Sequence, residues 1–138
     1  MYAGGSAHPL REPARRVIRA VVSGALDAVT DAEVFQEILY RYRHIGESQK
    51  GFEIFDHFYA VMQGRILPIE DVDVRTAREL ADRHPALSPR DLIHLAVMTR
   101  NGIAEIVTAD EDFQGVSEVR RIALAGFRVE TEPGLTQP

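Results

Sequence analysis

The chain has 138 residues, 45% of them hydrophobic, enough for one ordinary core and without obvious room for a second. A net charge of −5 excludes nucleic-acid binding by a uniformly basic surface, so any such contact must be local. With no cysteine, disulfides, thiolate metal sites and Cys-based catalysis are excluded, leaving oxygen and imidazole as ligands, an inventory suited to a hard cation.

Residues 1–10, MYAGGSAHPL, hold two glycines, a serine and a proline and read as a loop. Over 11–23 the apolar positions Ala14, Val17, Ile18, Val21 and Val22 keep helical spacing, with Pro13 in the first turn and Gly24 as the stop. Residues 25–30, ALDAVT, alternate like a short strand, and Thr30 opens a T-x-x-E capping box with Glu33 that predicts a helix over 31–43. Phe52, Phe55, Phe58, Tyr59 and Met62 recur at three- and four-residue spacing in a third helix closed by Gly64. Residues 65–69, RILPI, are branched enough for a buried strand, and helical periodicity resumes over 71–84 through Val74, Ala77, Leu80 and Ala81. Ser88, Pro89 and Asp91 supply cap, N1 proline and N3 acid in order for a helix that runs to Asn101 and Gly102. Residues 104–110, AEIVTAD, form a β-branched strand ending at Asp110. An EDFQGV turn follows, then a weaker stretch over 119–129 with room for one or two edge strands; 131–138 read as a frayed tail. Strands alternating with helices predict an α/β domain with a mostly parallel sheet covered on both faces.

In open α/β sheets, ligands collect at the carboxyl ends of the strands. Four acids fall there or can reach it: Glu37, Asp91, Asp110 and Asp112. Such a cluster repels itself unless a cation neutralises it, and oxygen-only ligation favours Mg²⁺ or Mn²⁺. Each acid also has a structural reading. Asp91 completes the capping box of Ser88. Asp110 and Asp112 could form an Asx turn. Glu37, between Phe35 and Ile38, borders an apolar stripe and is less easily explained by solvation.

The phrases TDAEVFQEIL, LSPRDLIHLAVM and IVTADEDF, in this order and at these separations, resemble the PIN-domain family, especially the VapC-like toxin ribonucleases of type II toxin–antitoxin pairs. The resemblance runs from Met1 to about Leu124 and implies a PIN-like three-layer sandwich. It also implies that Glu37, Asp91, Asp110 and Asp112 surround one or two divalent ions, with the Thr108 hydroxyl beside them. Water activated at the metal would attack an RNA phosphodiester, so none of these acids need be a covalent nucleophile. The implied partners are an RNA substrate, a cognate antitoxin protein and a second copy of the chain.

One departure stands out. The family opens with a buried central strand carrying an Asp, in a pattern like V-D-T-N-V, and this sequence has no such segment. A start further upstream is the favoured expectation, because a sheet without its central strand exposes unpaired backbone groups on both neighbours. The competing expectation is a PIN remnant that binds proteins without cleaving RNA; a housekeeping RNA-processing nuclease is a third reading.

Other signals have plainer explanations. Arg11, Arg15 and Arg19, with Arg16 beside them, could guide RNA but read first as a solvated helix face. The aromatic row over 52–62 reads as core, or as a dimer or antitoxin contact where exposed. His94, between Ile93 and Leu95, reads as a packed, hydrogen-bonded histidine before it reads as a ligand. No apolar run approaches the roughly 18 residues of a membrane span, and residues 1–11 lack signal-peptide order, so the expected location is the cytoplasm.

Overall fold

The computed structural model describes residues 8–129; the expected frayed tail and most of the opening loop lie outside them. The helices are α1 (Arg11–Ser23), α2 (Ala32–His44), α3 (Ser48–Val61), α4 (Asp71–Arg83) and α5 (Pro89–Arg100). The strands are β1 (Thr30–Asp31), β2 (Ile66–Leu67), β3 (Glu105–Thr108) and β4 (Arg120–Ala123), with a 3₁₀ turn at Glu111–Phe113.

Helix α1 occupies the expected span and ends at Gly24, whose φ of 79° is open to glycine and strained for other residues. The first strand is shorter than the alternation over 25–30 predicts. Only Thr30 and Asp31 find ladder partners, opposite Ile66 and Leu67. Strand β2 likewise stops before Pro68, which has no N–H to donate. The cap of α2 is Asp31 and not Thr30: Asp31 is extended, and its carboxylate accepts the Val34 N–H at 3.3 Å. Thr30 is committed to the strand, its N–H donating to the Arg65 carbonyl at 2.9 Å. The stretch over 119–129 yields one strand, β4.

Among the described residues all strand pairing is parallel, but it is divided into two two-stranded sheets, β1–β2 and β3–β4. An apolar cleft of about 580 Å³ lies among α1, α3 and β3, lined in part by Val17, Ile18, Ile54, Phe58, Val107 and Leu124. The apolar stripe of α1 faces this cleft, so only Ala20 and Val21 of that helix are fully buried.

The main core joins α4, α5 and the turn after β3: Ala77, Leu80, Leu87, Leu92, Leu95, Ala96, Phe113 and Val116. Asp73, buried at 1% exposure, clamps the two helices by accepting from Arg100 Nε at 2.7 Å and Nη2 at 2.8 Å. A second cluster joins α2 to α3, where Phe35 meets Phe55 edge-on at 5.2 Å and Phe58 stacked at 5.3 Å. Gly51 lies against Tyr42 there; a Cβ would come within 2.5 Å of the Tyr42 Cβ, so the close helix contact requires glycine. The aromatic row therefore splits. Phe55, Phe58 and Met62 turn inward, while Phe52 and Tyr59 stay about half exposed.

Candidate metal centre

Three of the four predicted acids converge. Asp91, Asp110 and Asp112 each offer a carboxylate oxygen, and these atoms lie within 4.8 Å of one another. Two elements bring them together. Helix α5 begins at Pro89 after the Ser88 cap; Ser88 Oγ accepts the Asp91 N–H at 3.2 Å, and Asp91 Oδ2 accepts the Ser88 N–H at 3.4 Å. The capping reading of Asp91 and its place in the cluster hold at once, since a carboxylate has spare lone pairs after one bond.

The facing acids come from the end of β3. Thr108 Oγ1 accepts the Asp110 N–H at 3.0 Å, and Asp110 Oδ1 accepts the Asp112 N–H at 2.8 Å. The expected Asx-type turn is thus real and does not compete with the cluster. Arg121, on the neighbouring β4, donates from Nε to the Asp110 carbonyl at 2.9 Å and from Nη2 to the Ala109 carbonyl at 3.3 Å. Phe113, 2% exposed, anchors the turn in the same core that holds α5. Thr108 serves the site through the backbone it fixes.

Among the described residues no cationic side chain forms an ion pair with any of the three acids. Burial pushes the Asp91 carboxyl above its ordinary value, and repulsion from Asp110 adds to this; the hydrogen bonds from Ser88 offset it only in part. Three carboxylates without a counter-ion, supplying only oxygen, fit a small hard cation and no soft one.

The fourth acid, Glu37, is not within that group. Its Oε1 is 2.9 Å from His94 Nε2, and on the other side of the ring Nδ1 is 2.6 Å from Asp31 Oδ2. His94 sits one turn beyond Asp91 on α5, so the two clusters are adjacent on one helix. The expectation of a packed, hydrogen-bonded histidine agrees with this geometry. Burial alone would lower the His94 pKa, but the bonds to Asp31 and Glu37 outweigh it and push the value from 6.5 up to about 10. Neighbouring Glu33 is raised, first by burial and then by repulsion from Glu37 and Asp31.

Asp31 is the residue that the sequence reading missed. A helix predicted over 31–43 places it in the first turn, with no signal that sets it apart. The T-D-A-E order admits a cap at either Thr30 or Asp31, and only the strand that claims Thr30 decides between them. The arginine row is partly spoken for: Arg19 pairs with Glu12 at 2.7 Å and Arg16 donates to the Phe127 carbonyl at 3.1 Å.

Comparison with known proteins agrees with this architecture. The PIN domain family matches residues 2–119. VapC ribonuclease Mb1869c of Mycobacterium bovis is 37% identical over 123 residues, covering 89% of this chain and 93% of the relative. Ribonuclease VapC13 of Mycobacterium tuberculosis matches with the same identity and coverage. Ribonuclease VapC23 of Mycobacterium tuberculosis is 40% identical over 110 residues, 80% of this chain and 86% of the relative. No solved structure matches. With its parallel βα units and carboxylates gathered beyond the end of β3, the chain belongs to the PIN domain family.

Proposed function

We propose that this protein is a divalent-metal-dependent endoribonuclease and the toxin of a toxin–antitoxin pair. The observation that carries the reading is the convergence of Asp91, Asp110 and Asp112, with no cationic partner among the described residues. Their likeness in type and order to the acids of the resembled family, and the ribonuclease names of the relatives, support RNA as the substrate.

In this reading Asp91, Asp110 and Asp112 hold Mg²⁺ or Mn²⁺, and Glu37 contributes from the adjacent His94 cluster. The bound cation supplies activation of water and neutralises charge on the phosphate. The chain's own part is to fix the carboxylates before substrate arrives. Ser88 and the α5 N-terminus hold Asp91, while Thr108, Arg121 and Phe113 hold the Asp110–Asp112 turn.

The antitoxin contact or a homodimer would use the exposed apolar positions of α2, α3 and the turn between them, of which Leu39, Ile45, Phe52 and Tyr59 are at least 40% exposed. The chain would act as one domain in the cytoplasm, where RNA is available. No described helix is long and apolar enough to cross a membrane.

The test is cleavage of RNA by the chain with Mg²⁺, with EDTA, and with Asp91→Asn, alongside a version extended upstream in frame. Loss of Mg²⁺-dependent cleavage in the Asn variant is the expected result. Cleavage unchanged by that substitution would sink the site, and no cleavage by either length would favour a protein-binding role.

A further inference from the structure

Asp31, His94 and Glu37 form a continuous hydrogen-bonded chain that the proposed cleavage does not by itself require. Asp31 is 6% exposed, and the side chains of His94 and Glu37 are 13% and 19% exposed. Carboxylates accept hydrogen bonds and cannot donate them, so a ring with a carboxylate on each nitrogen must carry both hydrogens. The arrangement is thus a buried cation held between two anions. Buried ion triads are a costly way to gain stability, since apolar side chains of similar volume usually serve as well or better. What such a triad supplies that apolar packing cannot is direction.

Each member is fixed by something different. Asp31 is tied to the start of α2 by the Val34 N–H at 3.3 Å, and His94 is set by α5, the helix that also carries Asp91. Glu37 is bonded through Oε1 alone; Oε2 has no hydrogen bond among the described residues and is not sealed from solvent. A carboxylate held by one oxygen on a rigid donor, one turn along from Asp91, presents its other oxygen in a fixed direction.

We infer that Asp31 and His94 are positioning residues that orient Glu37 so that its free oxygen serves the cation gathered by Asp91, Asp110 and Asp112. This rests on the metal-dependent reading above and names the device that makes Glu37 part of it. Outer-sphere partners of this kind typically change metal affinity about 10- to 100-fold.

The experiment is Mn²⁺ titration by calorimetry of the full chain and of His94→Gln, Asp31→Asn, Glu37→Gln, Asp91→Asn and the His94→Gln/Glu37→Gln double variant, with melting temperatures measured on each. His94→Gln is expected to weaken Mn²⁺ binding by about 10-fold or more, and Asp31→Asn, which keeps the helix cap, by less. In the Glu37→Gln background the His94 substitution should add almost nothing, because its effect acts through Glu37. A His94→Gln variant that melts earlier but binds Mn²⁺ as before would overturn the inference. So would an equal loss with and without Glu37. Should His94→Gln not fold, Asp31→Asn decides by the same criterion. Weakening by Asp91→Asn without any by His94→Gln or Asp31→Asn defeats only the positioning role; no Mn²⁺ binding by the unaltered chain defeats it together with the metal site.

Discussion

Two acidic clusters lie one helical turn apart on α5, and they handle charge in opposite ways. Around His94, Asp31 and Glu37 share a cation that the chain itself provides, at 2.6 and 2.9 Å. Around Asp91, three carboxylates approach within 4.8 Å of one another with no cationic partner among the described residues. The first cluster is complete as folded, and removing any member leaves a charge exposed to low dielectric. The second is poised at a cost that a bound cation would relieve. Substitutions that look alike should therefore act with opposite sign in the two places.

The largest effect is on activity. Asp91→Asn should lower Mg²⁺-dependent RNA cleavage by more than about 100-fold, beyond the loss usual for outer-sphere partners, as read by single-turnover assays. Next, a divalent cation at about 100 times its dissociation constant should stabilise the chain by about 2.7 kcal/mol in thermal unfolding. Asp91→Asn should remove most of that gain, and a shift of equal size in the variant would break the comparison.

Glu37→Gln should cost about 2 kcal/mol without any metal, because the buried imidazolium loses one of its counter-charges. Raising the pH should weaken the same contacts. The folded His94 pKa of about 10 lies above the unfolded value of 6.5, so its contribution is complete below 6.5 and is lost as pH climbs through about 10. Denaturant titrations across that window should show the decline, and it should be smaller in Glu37→Gln.

The smallest effect is the most diagnostic. Asp110→Asn keeps the Asx-type bond to the Asp112 N–H and removes repulsion on Asp91, so the metal-free chain should gain up to about 1 kcal/mol. A loss on that substitution would mean that the second cluster is compensated after all. Asp91 points the same way with pH: its folded value is raised, so acidification through the carboxylate range should relieve strain there.

Much of this was legible in the sequence where the signal is local. The S-P-R-D start of α5, the Gly24 stop of α1 and the strand running toward Asp110 follow from capping, glycine and β-branched patterns, each set by neighbours within a few residues. The three phrases that carry the family resemblance are local in the same sense. The sequence reading overextended the short strands at 25–30 and 65–69, because ladder length depends on a partner far along the chain. It also placed the α2 cap one residue early, since only pairing with Ile66 commits Thr30 to a strand.

By itself, then, the sequence determined the α/β alternation, the elements that bear the acids, and a ligand inventory of oxygen and imidazole in a chain without cysteine. Those outcomes depend on composition and on spacing within single elements. Only the tertiary structure decided which acids share a site and which answer to a histidine. Asp31 and His94 are 63 residues apart and Glu37 and His94 are 57, and no short-range pattern encodes such contacts. Packing of α2 across α5 creates them, and the bonds to Asp31 and Glu37, which outweigh the penalty of burial, make His94 the fixed cation of its cluster.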